Sequence, residues 1–139
     1  VMMYAIGLQE SRMTYRRQIV NGKPIGPAKG LWQFERGGGC KGVVEHPASR
    51  YWMARVCTRQ GVPFNATEVW NQLERDDAFA AVAARLLLFT DPRKLPEIDD
   101  AGGAWNLYVR TWRPGKPHRQ TWDAFHQYAR RVATERAES

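Results

Sequence analysis

The first eight residues, VMMYAIGL, are almost wholly apolar, and the first strongly polar positions, Gln9 and Glu10, arrive only where that run is ending. A helix that is apolar round most of its circumference is buried on most of its sides. The pattern predicts a helix over 1–13 that runs through the core and carries a carboxylate at its end. Residues 17–25 then place β-branched positions around Asn21-Gly22, a strong short signal for a hairpin because both turn positions tolerate positive φ. Pro24 sets its second strand at an edge. Gly26-Pro27-Ala28-Lys29-Gly30 reads as a loop delivering a short element, Leu31-Trp32-Gln33-Phe34, and Gly37-Gly38-Gly39 reads as another break.

Beyond that point the period is helical. Pro47 suits a first turn and Gly61 the position past a C-terminus, which predicts a helix over 47–60. A short helix is expected over 67–73. Asp76-Asp77 open an Ala/Leu-rich segment over 78–89, the best candidate for a central core helix, because acidic residues complement the N-terminal end of the dipole and the content gives high propensity. Asp91-Pro92 ends it. Two more helices are expected over 100–111 and 121–134, separated by the unusual loop Trp112-Arg113-Pro114-Gly115-Lys116-Pro117-His118. No repeat, low-complexity tract or second domain is visible, so residues 1–139 read as a single domain.

Composition supports that reading: 139 residues with 43% hydrophobic content suffice for one core without metal or disulfide staples. A net charge of +7 points to an anionic partner, whether nucleic acid, an acidic membrane surface or the acidic bacterial cell wall. The basic residues are scattered and form no block of the kind found in disordered binding arms; no nucleic-acid partner is expected, and nucleic-acid binding stands as the weaker third reading of the charge. Cys40 and Cys57 lie in no Cys-x-x-Cys or Cys/His cluster, and His46, His118 and His126 are widely separated, so neither a metal nor any other cofactor is expected. No apolar run has the length of a membrane span. No signal peptide is recognisable, and Val1 in place of an initiator methionine is what a processed or partial chain would show.

A helix ending in a carboxylate, then a small hairpin, then a bundle of helices is the layout of a mainly α, α+β lysozyme-like domain. Glu10-Ser11 followed by Gly30-Leu31-Trp32-Gln33 resembles the Glu-Ser and Gly-Leu-Met-Gln motifs of the soluble lytic transglycosylase family, with tryptophan in place of methionine. Ala104-Trp105-Asn106-Leu107-Tyr108 is similar to that family's Ala-Tyr-Asn-x-Gly motif, with tryptophan for tyrosine and tyrosine for glycine. The order and separations of the three motifs agree with the family, so the resemblance spans most of the chain.

The resemblance implies cleavage of the β-1,4 bond between N-acetylmuramic acid and N-acetylglucosamine in peptidoglycan. Glu10 would protonate the glycosidic oxygen and then deprotonate the sugar's C6 hydroxyl, leaving a 1,6-anhydromuramoyl end. Ser11, Gln33, Trp32, Asn106 and Trp105 would contact substrate or orient the site. Tyr108, three residues from Trp105 and so on the same helical face, could supply the phenol that Trp105 lacks. Tyr15, Trp32 and Trp112 are candidate sugar-stacking surfaces. An acid that must donate near neutral pH needs an apolar pocket to disfavour its carboxylate, and Leu31 or Trp32 folding over Glu10 would provide one.

Glycosidases ordinarily use a second carboxylate, yet the chain holds no Asp or Glu between Glu10 and Glu35. That gap favours the intramolecular route, which needs no water-activating acid. A hydrolysing muramidase using Glu10 with Glu35 or a later acid remains an open alternative. So does an inert peptidoglycan-binding virion module. The partners implied are glycan strands, with other virion or secretion-apparatus proteins as possible companions. The setting would be the bacterial periplasm or cell wall, reached from a phage virion, as an endolysin, or from a bacterial remodelling system.

Overall fold

The computed structural model describes residues 1–138. Among them the architecture is mainly α, with a small two-stranded antiparallel sheet. Helix α1 spans Met2–Ser11, and strands β1 (Ala28–Lys29) and β2 (Phe34–Glu35) follow. Helices α2 (Lys41–Glu45), α3 (Arg50–Gln60), α4 (Ala66–Arg75), α5 (Asp77–Phe89), α6 (Ala101–Trp112) and α7 (Arg119–Glu138) complete the chain.

The helix starts follow their capping chemistry. Asn65, Asp76 and Asp100 each accept a hydrogen bond from the amide three residues on, satisfying one of the free N–H groups of a first turn. Helix α3 stops at Gly61, whose φ of 68° is the left-handed conformation that glycine adopts most easily. Helix α5 is the central helix. It buries Phe79, Ala80, Ala83, Ala84, Leu87 and Leu88 and packs against α1, α2, α3, α4 and α6. Its alanines let neighbouring backbones approach, while its leucines and Phe79 fill the space between. Cys40 and Cys57 are separate buried thiols, and burial pushes Cys40 up to about 12. No helix among the described residues is long and apolar enough to cross a membrane.

The β region differs from the pattern reading. Asn21 and Gly22 do form the expected turn, with φ of 53° and 75° and a single bridge between Val20 and Lys23. The sheet itself, however, is the next pair: Ala28 faces Glu35 and Lys29 faces Phe34, so Gly30-Leu31-Trp32-Gln33 is the turn of a hairpin. The segment near Arg17 bridges to Lys29 on the other side, giving a short meander. Lys29 anchors it to α4, donating from Nζ to Asn71 Oδ1 at 3.0 Å and meeting Glu74 at 3.3 Å over the Trp70 ring. The predicted break at Gly37-Gly38-Gly39 is instead a π-helical turn, Arg36–Cys40, leading into α2. A Cβ on Gly39 would stand 2.7 Å from the Phe34 ring, so glycine here permits a helical backbone to lie against an aromatic.

Candidate active site

Helix α1 ends abruptly after Ser11, because Arg12 and Met13 both adopt left-handed φ, 58° and 53°. Left-handed conformations are unfavourable for residues with a Cβ, and strain of this kind concentrates at functional sites. The Ser11 hydroxyl holds the helix end in place, donating to Leu31 O at 2.6 Å while lying within 3.2 Å of Gly7 O. The motif serine thus ties the catalytic-helix candidate to the hairpin turn. Two indoles pin the same turn. Trp32 Nε1 donates to Met3 O at 2.8 Å, and Trp112 Nε1 donates to Trp32 O at 2.9 Å.

Gly30 occupies a position no other residue fits comfortably: its φ is +80°, and a Cβ would stand 3.1 Å from both Leu73 Cβ and Leu73 O. Gln33 closes the turn, its amide donating to Gly30 O at 3.0 Å, and it too is left-handed at φ 53°. Its side chain donates to Gly30 O and Tyr15 O.

Between the end of α1, the hairpin and the loop after α6 lies a cleft of about 610 Å³, lined by Glu10, Ser11 and Gln33 among others. Glu10 is half-buried here, and Tyr108 from α6 donates its hydroxyl to Glu10 Oε2 at 2.5 Å. Burial raises the Glu10 carboxyl from its ordinary 4.5 to about 7, outweighing the Tyr108 bond, which favours the ionised form. Burial, followed by the neighbouring carboxylate, pushes the Tyr108 phenol upward, so it remains a donor. Its direction is fixed by packing: the ring stacks on the fully buried Trp122 with centroids 5.2 Å apart and planes 7° from parallel. Trp105 and Trp112 lie tilted beside it at 5.5 and 6.3 Å.

Three residues expected to touch substrate stand elsewhere. Trp32 is 6% exposed and packs into the core below the turn, so its ring offers a sugar almost no surface. Trp105 is outside the cleft lining and packs on Tyr108 and Trp122. Asn106 is exposed and also outside the lining. The reason is angular: with about 100° per residue, Asn106 lies roughly 200° round α6 from Tyr108, so a helix that aims Tyr108 at Glu10 turns Asn106 away. Trp105 shares the Tyr108 face and became its packing partner.

Glu10, Ser11, Gln33, Tyr15 and Trp112 do come together round the cleft, with Tyr108 behind Glu10. Glu35 also lines it, exposed, its side chain without a hydrogen bond or ion pair among the described residues. Pattern reading overlooked Gln9, the clamp between α1 and the far wall: its Nε2 donates to His118 O and its Oε1 accepts from Thr121 Oγ1, both at 2.9 Å. The available signal was a second polar residue closing the apolar run beside the acid. No family model, curated protein or solved structure was found to match the chain.

Proposed function

We propose that the chain cleaves the β-1,4 glycosidic bond of peptidoglycan between N-acetylmuramic acid and N-acetylglucosamine, as a lytic transglycosylase with Glu10 as acid and base. The observation that carries this reading is Glu10 itself: a carboxyl at a cleft wall, raised to about 7 by burial, with an oriented phenol on one oxygen. A group with a pKa near ambient pH gives and takes a proton with comparable ease. Glu10 donates its proton to the leaving oxygen as the C1–O bond breaks, with the substrate's own N-acetyl group assisting. The resulting carboxylate then takes the C6 hydroxyl proton as O6 bonds to C1, closing the 1,6-anhydro ring and restoring the acid. Tyr108 supports the charged half of this cycle, because its bond is to the carboxylate. Ser11 and Gln33 act as positioning residues, holding the α1 end and the turn that shape the cleft.

Glu35 lies in the same cleft and supports a second reading, hydrolysis with Glu35 as base or nucleophile. Product analysis separates the two. Mass spectrometry of wall digested by the parent should find 1,6-anhydromuramoyl ends, and Glu10→Gln should lower the rate at least about 100-fold, the scale of a lost general acid. Reducing ends throughout would transfer the assignment to hydrolysis. Undiminished cleavage by Glu10→Gln would remove Glu10 from the chemistry, whereas a parent that binds wall without cleaving it would leave a wall-binding module as the better account.

A further inference from the structure

The loop joining α6 to α7 forms one wall of the cleft and is held at both ends. Trp112 Nε1 is bonded to Trp32 O at its start, and the Gln9 amide to His118 O at its finish. Between these ties, Pro114 and Pro117 restrict φ, and Arg113 caps α6 in a left-handed conformation with φ 50° and ψ 55°. The wall is therefore ordered before substrate arrives, which lowers the entropic cost of using it.

Two cations of this wall, Arg113 and Lys116, line the cleft, and both are exposed. Neither side chain forms an ion pair or hydrogen bond among the described residues. Arg12, which also lines the cleft, is otherwise engaged. Its guanidinium donates to Leu8 O and Gln9 O and lies 4.7 Å from the Phe125 ring centroid. Elsewhere cations do have partners, as in Arg16 with Asp77 and Arg110 with Asp91. A fixed cleft wall bearing two unpartnered cations, beside an acid whose ionised form burial disfavours, is complementary to an anionic ligand group.

On the reading of this cleft as a wall-cleaving site, on which the inference rests, that anion has a defined source. The glycan's sugar rings are uncharged, and the carboxylates of intact peptidoglycan belong to the peptides borne by muramic acid. We infer that Arg113 and Lys116 recognise the peptide carboxylates of the muramoyl residue, so that the protein selects strands whose peptides carry free carboxylates over strands whose carboxylates are masked. Arg113 presents a fork that fits a carboxylate in bidentate fashion, and Lys116 adds a point charge.

The test compares glycan strands carrying native peptides with the same strands after their carboxyl groups are converted to amides. For the parent, KM should be roughly 3- to 10-fold higher on amidated strands with kcat little changed, the scale of one or two solvent-exposed charge contacts. In Arg113→Gln/Lys116→Gln the native-to-amidated ratio should fall toward one, with the thermal midpoint serving as the fold control. Affinities of Glu10→Gln for both strand types read the preference without turnover. Equal affinity for native and amidated strands overturns the inference, as does a double variant that keeps the parent's discrimination. An inactive parent that still prefers native strands would sink the transglycosylase reading and leave the carboxylate preference standing.

Discussion

Tyr108 and Glu10 stand 98 residues apart in the chain and meet at 2.5 Å, so the proton balance of the cleft depends on how α6 is packed against α1. Burial is the dominant influence on Glu10 and the Tyr108 bond opposes it. Removing the phenol must therefore raise the Glu10 pKa further. In Tyr108→Phe the basic limb of the kcat/KM profile, which follows loss of the Glu10 proton, should move to higher pH while peak activity falls roughly 10-fold or more. An unmoved limb would mean that Glu10 is not the titrating acid. The same shift bears on stability. Unfolded Glu10 releases its proton near 4.5, and folded Glu10 near 7, so between those values the native state holds more protons and stability falls as pH rises. The penalty is absent below about 4.5 and complete above about 7. Glu10→Gln, neutral throughout, should gain about 2–3 kcal/mol over the parent at pH 8 and little at pH 4, measured by urea unfolding. Sequence indicated Glu10 and Tyr108 because a carboxylate ending an apolar run and a phenol at helical spacing are local signals. It could not say that Trp32 would turn inward, since which ring faces sugar and which faces core is decided by elements far away in the chain.

Several helix ends were legible because they are written in local chemistry: Asp76, Asp100 and Gly61 cap where their residue types say they should, whereas Pro47, expected in a first turn, lies in a turn ahead of α3, which opens at Arg50. Helix α2 escaped notice because three glycines precede it, and glycine ordinarily signals a break. Here the close approach to Phe34 makes glycine a requirement of the helical turn. Likewise the Asn21-Gly22 signal was real but marked only a one-bridge turn, whereas the paired strands flank Gly30. Strand pairing depends on Lys29 reaching Asn71 and Glu74 in α4, partners no local pattern reveals. The turn glycines Gly22 and Gly30 make a controlled comparison. A Cβ added to Gly22, with φ +75°, would have no atom within 4 Å, while one added to Gly30, with φ +80°, would meet Leu73 at 3.1 Å. Gly22→Ala should cost only the left-handed penalty, about 1–2 kcal/mol. Gly30→Ala adds displacement of α4 backbone and should cost about 1–3 kcal/mol more, and it should also lower activity by moving the turn that Ser11 grips. Equal losses in denaturant unfolding would show that the turn is not held against α4.

Across the whole molecule the sequence predicts the sign of the electric field but not its shape. The net charge of +7 is visible from counting, whereas the pairing of Arg16, Arg110 and Arg119 with nearby aspartates, and the freedom of Arg113 and Lys116, emerge only when the chain is folded. Unpaired and paired cations alike contribute to the long-range attraction of an anionic wall, because that attraction depends on net charge and is screened over a Debye length of about 10 Å at 0.1 M salt. Recognition at the loop is instead a contact effect. The two separate experimentally. On native peptide-bearing strands kcat/KM should fall several-fold between about 20 and 300 mM salt as the field is screened. Arg113→Gln/Lys116→Gln lowers the net charge from +7 to +5, since 7 − 2 = 5, so it should retain more than half of the parent's logarithmic salt slope while losing its preference for native over amidated strands. If the double substitution abolishes the salt slope, the two loop cations account for all of the attraction and the remaining charge serves solubility alone.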